Sequence, residues 1–161
     1  MNQSEPIPDA GGARPAETIL TGIVGLDRLL GGGIPTGSLM LIVGAPGTGK
    51  TLLTQQLCFG QARRGERAIY FSTLSEPHGK LVRQLQPFHF YEPRLMGDAV
   101  TLLSLQDFLK QGLDATAEVI VRTARQQRAS LVCIDGFRAI EAASESEFAA
   151  REFLYQLSSQ L

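Results

Sequence analysis

The stretch Gly44-Ala45-Pro46-Gly47-Thr48-Gly49-Lys50-Thr51 fits the pattern G-x-x-x-x-G-K-[ST]. That pattern constrains both the fold around it and the ligand it can hold. Glycines adopt backbone conformations closed to other residues and leave room for a bulky anion. Successive backbone N–H groups then point into one concave nest. A helix starting at about Lys50 adds its unpaired N–H groups and the positive end of its dipole. Lys50 is expected to reach the β- and γ-phosphate oxygens, and the Thr51 hydroxyl to ligate Mg²⁺. The ligand expected is a nucleoside triphosphate, ATP with Mg²⁺, held by Gly44, Ala45, Pro46, Gly47, Thr48, Gly49, Lys50, Thr51 and Leu52. The guanine-reading pattern [NT]-K-x-D does not occur in the chain, which favours ATP over GTP.

Such a loop needs a strand before it and a helix after it, and the flanks read that way. Leu39–Val43 is a continuous apolar run of strand length, the pattern of a strand buried on both faces of a parallel sheet. A helix is predicted from about Lys50 to Arg64, closed by Gly65, with Leu53, Leu57 and Cys58 toward the sheet. Further strands are predicted at 68–72, 100–103 and 131–134. Further helices are predicted at about Pro77–Gln86, Asp114–Gln127 and Glu145–Leu161. Pro77 suits a first helical turn, and Ser144 with Glu147 reads as a capping box for the last helix. That helix carries Leu154, Leu157 and Leu161 on its expected inner face. Alternation of strands with helices gives an α/β fold with a mainly parallel sheet. Upstream, Thr18–Gly37 is dense in glycine, with a helical turn expected at 26–30 and Leu26, Leu29 and Leu30 on one face. Residues 1–17, polar and rich in Pro and Gly, read as a disordered leader without the apolar core of a signal peptide.

Two acids stand at the ends of predicted strands, where open α/β sheets bind ligands. Leu131-Val132-Cys133-Ile134 is followed by Asp135, whose expected role is to hold Mg²⁺ opposite Thr51. The alternative is a carboxylate that only caps the next helix. The strand at 68–72 is followed by Glu76, which at that rim can orient an attacking water. The spacing fits equally an acid favoured by a helix N-terminus.

Together these segments resemble the RecA-like ATPases of the KaiC and RadA group. The likeness begins upstream of the loop, at Thr21-Gly22-Ile23-x-Gly25-Leu26-Asp27-x-Leu29-Leu30-Gly31-Gly32-Gly33-Ile34-Pro35-x-Gly37, which looks like the segment that leads into the phosphate-binding strand of KaiC-type domains. It continues through Thr73-Leu74-Ser75-Glu76 to Asp135 and so covers residues 18–161. The resemblance implies a RecA-like, three-layer P-loop NTPase fold, with Gly44–Thr51 as the Walker A loop and Asp135 as the Walker B aspartate. KaiC-type domains carry two adjacent catalytic glutamates after the second strand. Here the first falls on Ser75 and the second on Glu76, leaving Glu76 with Lys50 as the catalytic pair. RecA-like cores continue after the Walker B strand with further strands, which carry the DNA-contacting loops and the residues that reach a neighbouring protomer. On this reading the C-terminal strands are missing and residues 18–161 are a partial ATPase domain. A homo-oligomer is implied for the full-length form, because in RecA-like proteins the nucleotide lies between protomers.

The chain's net charge of −1 gives no overall positive field that calls for nucleic acid or membrane. Arg122, Arg125 and Arg128 recur along one predicted helix and read as a solvated face; nucleic acid has no other support. Phe88, Phe90 and Tyr91 read as packing beneath a loop. Cys58 and Cys133 sit inside apolar segments and read as buried, reduced thiols of a cytoplasmic protein. The leading expectation is an ATPase that hydrolyses ATP with Mg²⁺. The alternative is a regulatory or assembly module that binds ATP with little or no turnover. A small-molecule P-loop kinase ranks third, since no lid or acceptor site is evident.

Overall fold

The computed structural model describes residues 17–73, 78–144 and 146–161. Its main sheet has three parallel strands, β3 (Ala68–Ser72), β4 (Val100–Ser104) and β5 (Leu131–Asp135), in the order β4-β3-β5. A small antiparallel pair, β1 (Thr18–Ile19) with β2 (Ile34–Pro35), brackets the glycine-rich segment.

The central strand β3 is the most deeply buried. Ala68, Ile69, Tyr70 and Phe71 are each at most 1% exposed, as the apolar run predicts. Side chains alternate across a strand, and the core divides accordingly. Ile69 and Phe71 join Ile120, Ile140, Phe153 and Leu157 in one cluster. Ala68 and Tyr70 join Cys58, Phe59, Leu85 and Cys133 in the other. The first face is covered by α5 (Leu113–Gln127), α6 (Phe137–Ala143) and α7 (Glu147–Gln160), the second by α2 (Lys50–Arg63) and α3 (His78–Leu85). The chain crosses outward from β3 to β4 through α3 on one face and back from β4 to β5 through α5 on the other. Two crossovers of the same hand that move in opposite directions require opposite faces.

Most expected elements are present, and the differences have physical causes. The expected strand Leu39–Val43 is not in the sheet: Leu39 is 55%, Leu41 64% and Val43 82% exposed. Apolar character makes a run suitable for burial, but a strand exists only where a neighbour takes its backbone hydrogen bonds. Among the described residues none pairs with this run, and β5 pairs only with β3. The turn α1 (Val24–Leu29) forms, but Leu29 is 85% exposed rather than inward.

At the last helix the capping residue is Ser146, whose hydroxyl accepts from the Ala149 N–H at 3.2 Å; Ser144 instead donates to the Glu141 carbonyl. The chain between Asp135 and Ser144 is itself helical (α6), so Ser144 follows a helix end and cannot start the next one. The inner face of α7 is Ala150, Phe153 and Leu157, and Leu161 is 53% exposed. The 3₁₀ turn Pro93–Leu95 and the short α4 (Gln106–Leu109) complete the described elements. Pro77, Glu145 and the leader up to residue 16 lie outside the described residues.

Candidate functional site

The loop expected to hold phosphate runs exposed from Gly44 to Gly49 and turns directly into α2. Gly47 (φ 80°) and Gly49 (φ 86°) both lie in the left-handed region, so these two loop glycines meet a real backbone demand. Gly49 is the residue before the helix and supplies no side-chain cap, so no side chain competes for the first N–H groups of α2. Gly44 has a different constraint: a Cβ there would lie 2.8 Å from Thr48 Oγ1. Thr48 in turn donates from its hydroxyl to the Ala45 carbonyl at 2.9 Å, which closes the loop on itself.

Lys50 folds back over the loop, its Nζ donating to the carbonyls of Gly44 and Ala45 at 2.8 Å each. The ammonium is therefore already held within the loop, by neutral acceptors that an anion can outcompete. The Leu52 side chain is partly buried against the cluster under α2, which leaves its backbone N–H as the group it can offer.

Thr51 and Asp135, 84 residues apart in the chain, meet at the base of the loop. The Thr51 hydroxyl donates to Asp135 Oδ2 at 2.7 Å. The contact follows from topology: Asp135 ends β5, Thr51 opens α2, and α2 packs across β3 and β5. With its proton directed at the carboxylate, the Thr51 oxygen keeps its lone pairs for a cation. A hydroxyl and a carboxylate side by side form a hard oxygen donor set, which fits Mg²⁺. Among the described residues no group of three or more His, Cys, Asp or Glu side chains offers a metal site elsewhere.

Two features that sequence reading missed hold Asp135 in place. Tyr70, in the centre of β3, donates from its phenol to the same Oδ2 at 2.6 Å. Burial first, and then the hydrogen bond to Asp135, push the phenol well above its ordinary pKa, so it remains a donor at any physiological pH. The available signal was a hydroxyl-bearing ring in an otherwise apolar central strand, since a buried phenol needs a partner. The second feature is a clamp behind the strand end. Thr73 donates its N–H to the Asp135 carbonyl at 3.1 Å and its hydroxyl to the Gly136 carbonyl at 2.9 Å. Gly136 turns the chain away at φ 87°.

Glu76, the expected water-orienting carboxylate, and Ser75 lie outside the described residues. The upstream segment docks on the far end of α2. Thr21 N–H and hydroxyl both donate to Asp27 Oδ1 at 2.7 Å. The Gln61 side-chain amide donates to the Leu20 carbonyl, and Gly60 sits so close that a Cβ would lie 2.7 Å from the Thr21 carbonyl oxygen. Leu20, Thr21 and Gly22 thus anchor the start of the upstream segment to α2.

The remaining candidates have plain roles. Phe59 packs against Phe90 and Tyr91, with ring centroids 5.9 and 5.5 Å away, and Phe88 stacks on Phe90. Arg122 pairs with Glu118 on the exposed face of α5. Cys58 and Cys133 are both free and buried, and they are neighbours across α2 and β5. The neighbouring Cys133 thiol, with burial, pushes Cys58 well above the usual thiol range. Among the described residues no helix is long and apolar enough to cross a membrane.

Comparison with known proteins gives the same reading. The chain is 30% identical over 155 residues to a UPF0273 protein of Thermotoga maritima, an alignment covering 86% of this chain and 62% of that protein. It is 33% identical over 124 residues to the circadian clock oscillator protein KaiC of a Picosynechococcus species, covering 76% of this chain and 23% of the relative. It is 47% identical over 64 residues to the DNA repair protein RadA of Mycobacterium tuberculosis, covering 40% of this chain and 13% of the relative. The chain thus spans less than two thirds of the length of the curated relatives it matches. The profile described as "ATPase: KaiC" matches residues 19–161. The three-strand parallel sheet, the phosphate-type loop and this match agree, and the chain belongs to the KaiC family of RecA-like P-loop ATPases.

Proposed function

We propose that this chain binds ATP with Mg²⁺ in the loop Gly44–Thr51 and hydrolyses it as part of a homo-oligomer. The observation that carries the reading is the 2.7 Å bond between Thr51 and Asp135. It brings the hydroxyl of the phosphate loop and the strand-end acid to one point, on the residue that follows Lys50. Mg²⁺, held by Thr51 and Asp135, supplies charge neutralisation for the phosphates. The chain's own residues do the rest. The loop N–H groups from Gly44 to Leu52 receive the phosphate oxygens. Lys50 exchanges its two carbonyl partners for phosphate oxygens. Glu76 orients the attacking water.

The oligomer and the partial ATPase domain (18–161) rest on the family relationship, and the leader (1–17) on its polar, Pro- and Gly-rich composition. A cytoplasmic location accords with two free thiols. The RadA relative is named for DNA repair; among the described residues of this chain, nothing on the surface points to nucleic acid.

The second reading, a nucleotide-dependent regulatory or assembly module with little turnover, is favoured by one feature. Ser75 stands where KaiC-type domains carry the first of two glutamates. One assay separates the two. ATP binding and phosphate release are measured for the wild type, Lys50→Ala and Glu76→Gln. The ATPase reading expects weakened binding or lost activity in the first variant, and retained binding with lost turnover in the second. Wild-type turnover at background with intact binding gives the regulatory module. Absence of binding refutes both.

A further inference from the structure

A buried tyrosine stands one hydrogen bond behind the proposed cation site. Tyr70 is 1% exposed in the centre of β3, its ring in the cluster with Cys58, Phe59 and Leu85. Packing there requires only the ring, and phenylalanine would fill nearly the same volume. The hydroxyl is satisfied by a single group: it donates to Asp135 Oδ2 at 2.6 Å, the oxygen that also accepts from Thr51 at 2.7 Å. Strand register makes this contact specific. Tyr70 pairs with Cys133 across β3 and β5. Residues two apart share a sheet face, so Tyr70, Cys133 and Asp135 all face α2. Ile69 and Phe71 face the opposite cluster and cannot reach the site.

A carboxylate at a strand end can rotate about its last torsion, which is broad and nearly two-fold. Two donors on one oxygen, one of them a stiff aromatic in a packed core, remove that freedom. We propose that Tyr70 is the positioning residue of the Mg²⁺ site. It fixes the rotamer of Asp135, and through it the carboxylate–hydroxyl pair with Thr51, without touching nucleotide. This rests on the MgATP reading above. Groups that orient a metal-ligating carboxylate are worth about 10- to 100-fold in metal affinity.

The test compares ATP affinity by titration calorimetry in MgCl₂ and in EDTA, because the ratio of the two isolates the contribution of magnesium. Tyr70→Phe is expected to lower that ratio about 10-fold and leave the affinity in EDTA unchanged. In an Asp135→Asn background the same substitution should have no further effect, since it acts through the carboxylate. An unchanged ratio in a Tyr70→Phe protein with native circular dichroism overturns the proposal and leaves the MgATP reading intact. An equal loss in MgCl₂ and EDTA also overturns it, because that marks a purely structural role. A wild type that binds no ATP, or gains nothing from magnesium, refutes the MgATP reading and this proposal with it. A readout that needs no variant uses ¹³Cζ-labelled tyrosine in the wild-type chain. The Tyr70 signal should shift when Mg²⁺ is added to the ATP-bound protein, and a signal unmoved by magnesium overturns the proposal.

Discussion

Gly136 follows Asp135 directly, and its replacement by alanine should be among the most damaging single-methyl changes in the protein. Two costs combine. The residue sits at φ 87°, where a side chain costs about 1–2 kcal/mol. The new Cβ would also lie 2.1 Å from Thr73 Oγ1, so that hydroxyl must move. Thr73 is 6% exposed. Displacing it breaks its bond to the Gly136 carbonyl and leaves a buried polar group poorly matched, a further cost of about 1–3 kcal/mol. The expected total is roughly 3 kcal/mol, or about 6–12 °C in Tm for a domain of this size. Gly97→Ala is the control, because Gly97 has nearly the same φ (84°) with nothing within 4 Å. It should cost only the backbone part. Thermal and urea unfolding measure both. Thr73→Ala removes the clashing atom, so Gly136→Ala should be milder in that background. Equal destabilisation by Gly136→Ala and Gly97→Ala, or no relief from Thr73→Ala, refutes the reasoning.

Other outcomes follow from the same geometry. Gly60→Ala, in the last turn of α2, should destabilise by about 1–3 kcal/mol although alanine favours helix, because its Cβ meets the Thr21 carbonyl at 2.7 Å. Urea midpoints decide the sign. The hydrogen bonds from Thr21 hold Asp27 below its ordinary pKa. The stability it adds is thus complete above the unfolded-state pKa and lost as pH falls through the folded value. Asp27→Asn should therefore flatten the fall in stability below about pH 4, as followed by unfolding across an acid series. Leu41→Ser should change stability by less than about 0.5 kcal/mol, since Leu41 is 64% exposed. Phe71→Ala, at 0% exposure, should cost about 3–5 kcal/mol. A large effect at Leu41 would place that run in the core.

The sequence was most informative where one local cause acts alone. The loop glycines announce a backbone conformation, and Gly47 and Gly49 take it. Helix α5 carries its apolar residues at helical spacing, and Ala117, Ile120, Val121 and Ala124 are buried. It was least informative where the outcome depends on a distant neighbour. Leu39–Val43 has the composition of a buried strand, but pairing is a property of two segments and cannot be read from one. The cap of α7 depended on where α6 ended, so Ser146 rather than Ser144 took the role. At the site, the placement of Asp135 beside the loop was legible, because it ends a strand-length apolar run and open α/β sheets gather their strand ends at one rim. Tyr70 was not, because its partner is set by the β3–β5 register, and that register is a tertiary fact. The two cysteines are a similar case: far apart in sequence, they are neighbours because α2 lies across β5.

The central claim is that the main-chain nest from Gly44 to Thr51, with the Lys50 ammonium, holds a triphosphate. Calorimetric titration of ATP with Mg²⁺ into the wild type and Lys50→Ala tests it most directly. Saturable binding of one ATP per chain is predicted for the wild type, weakened at least about 10-fold in the variant by loss of a charge-assisted contact. No saturable binding to a folded wild type, or the same affinity in both proteins, would contradict it.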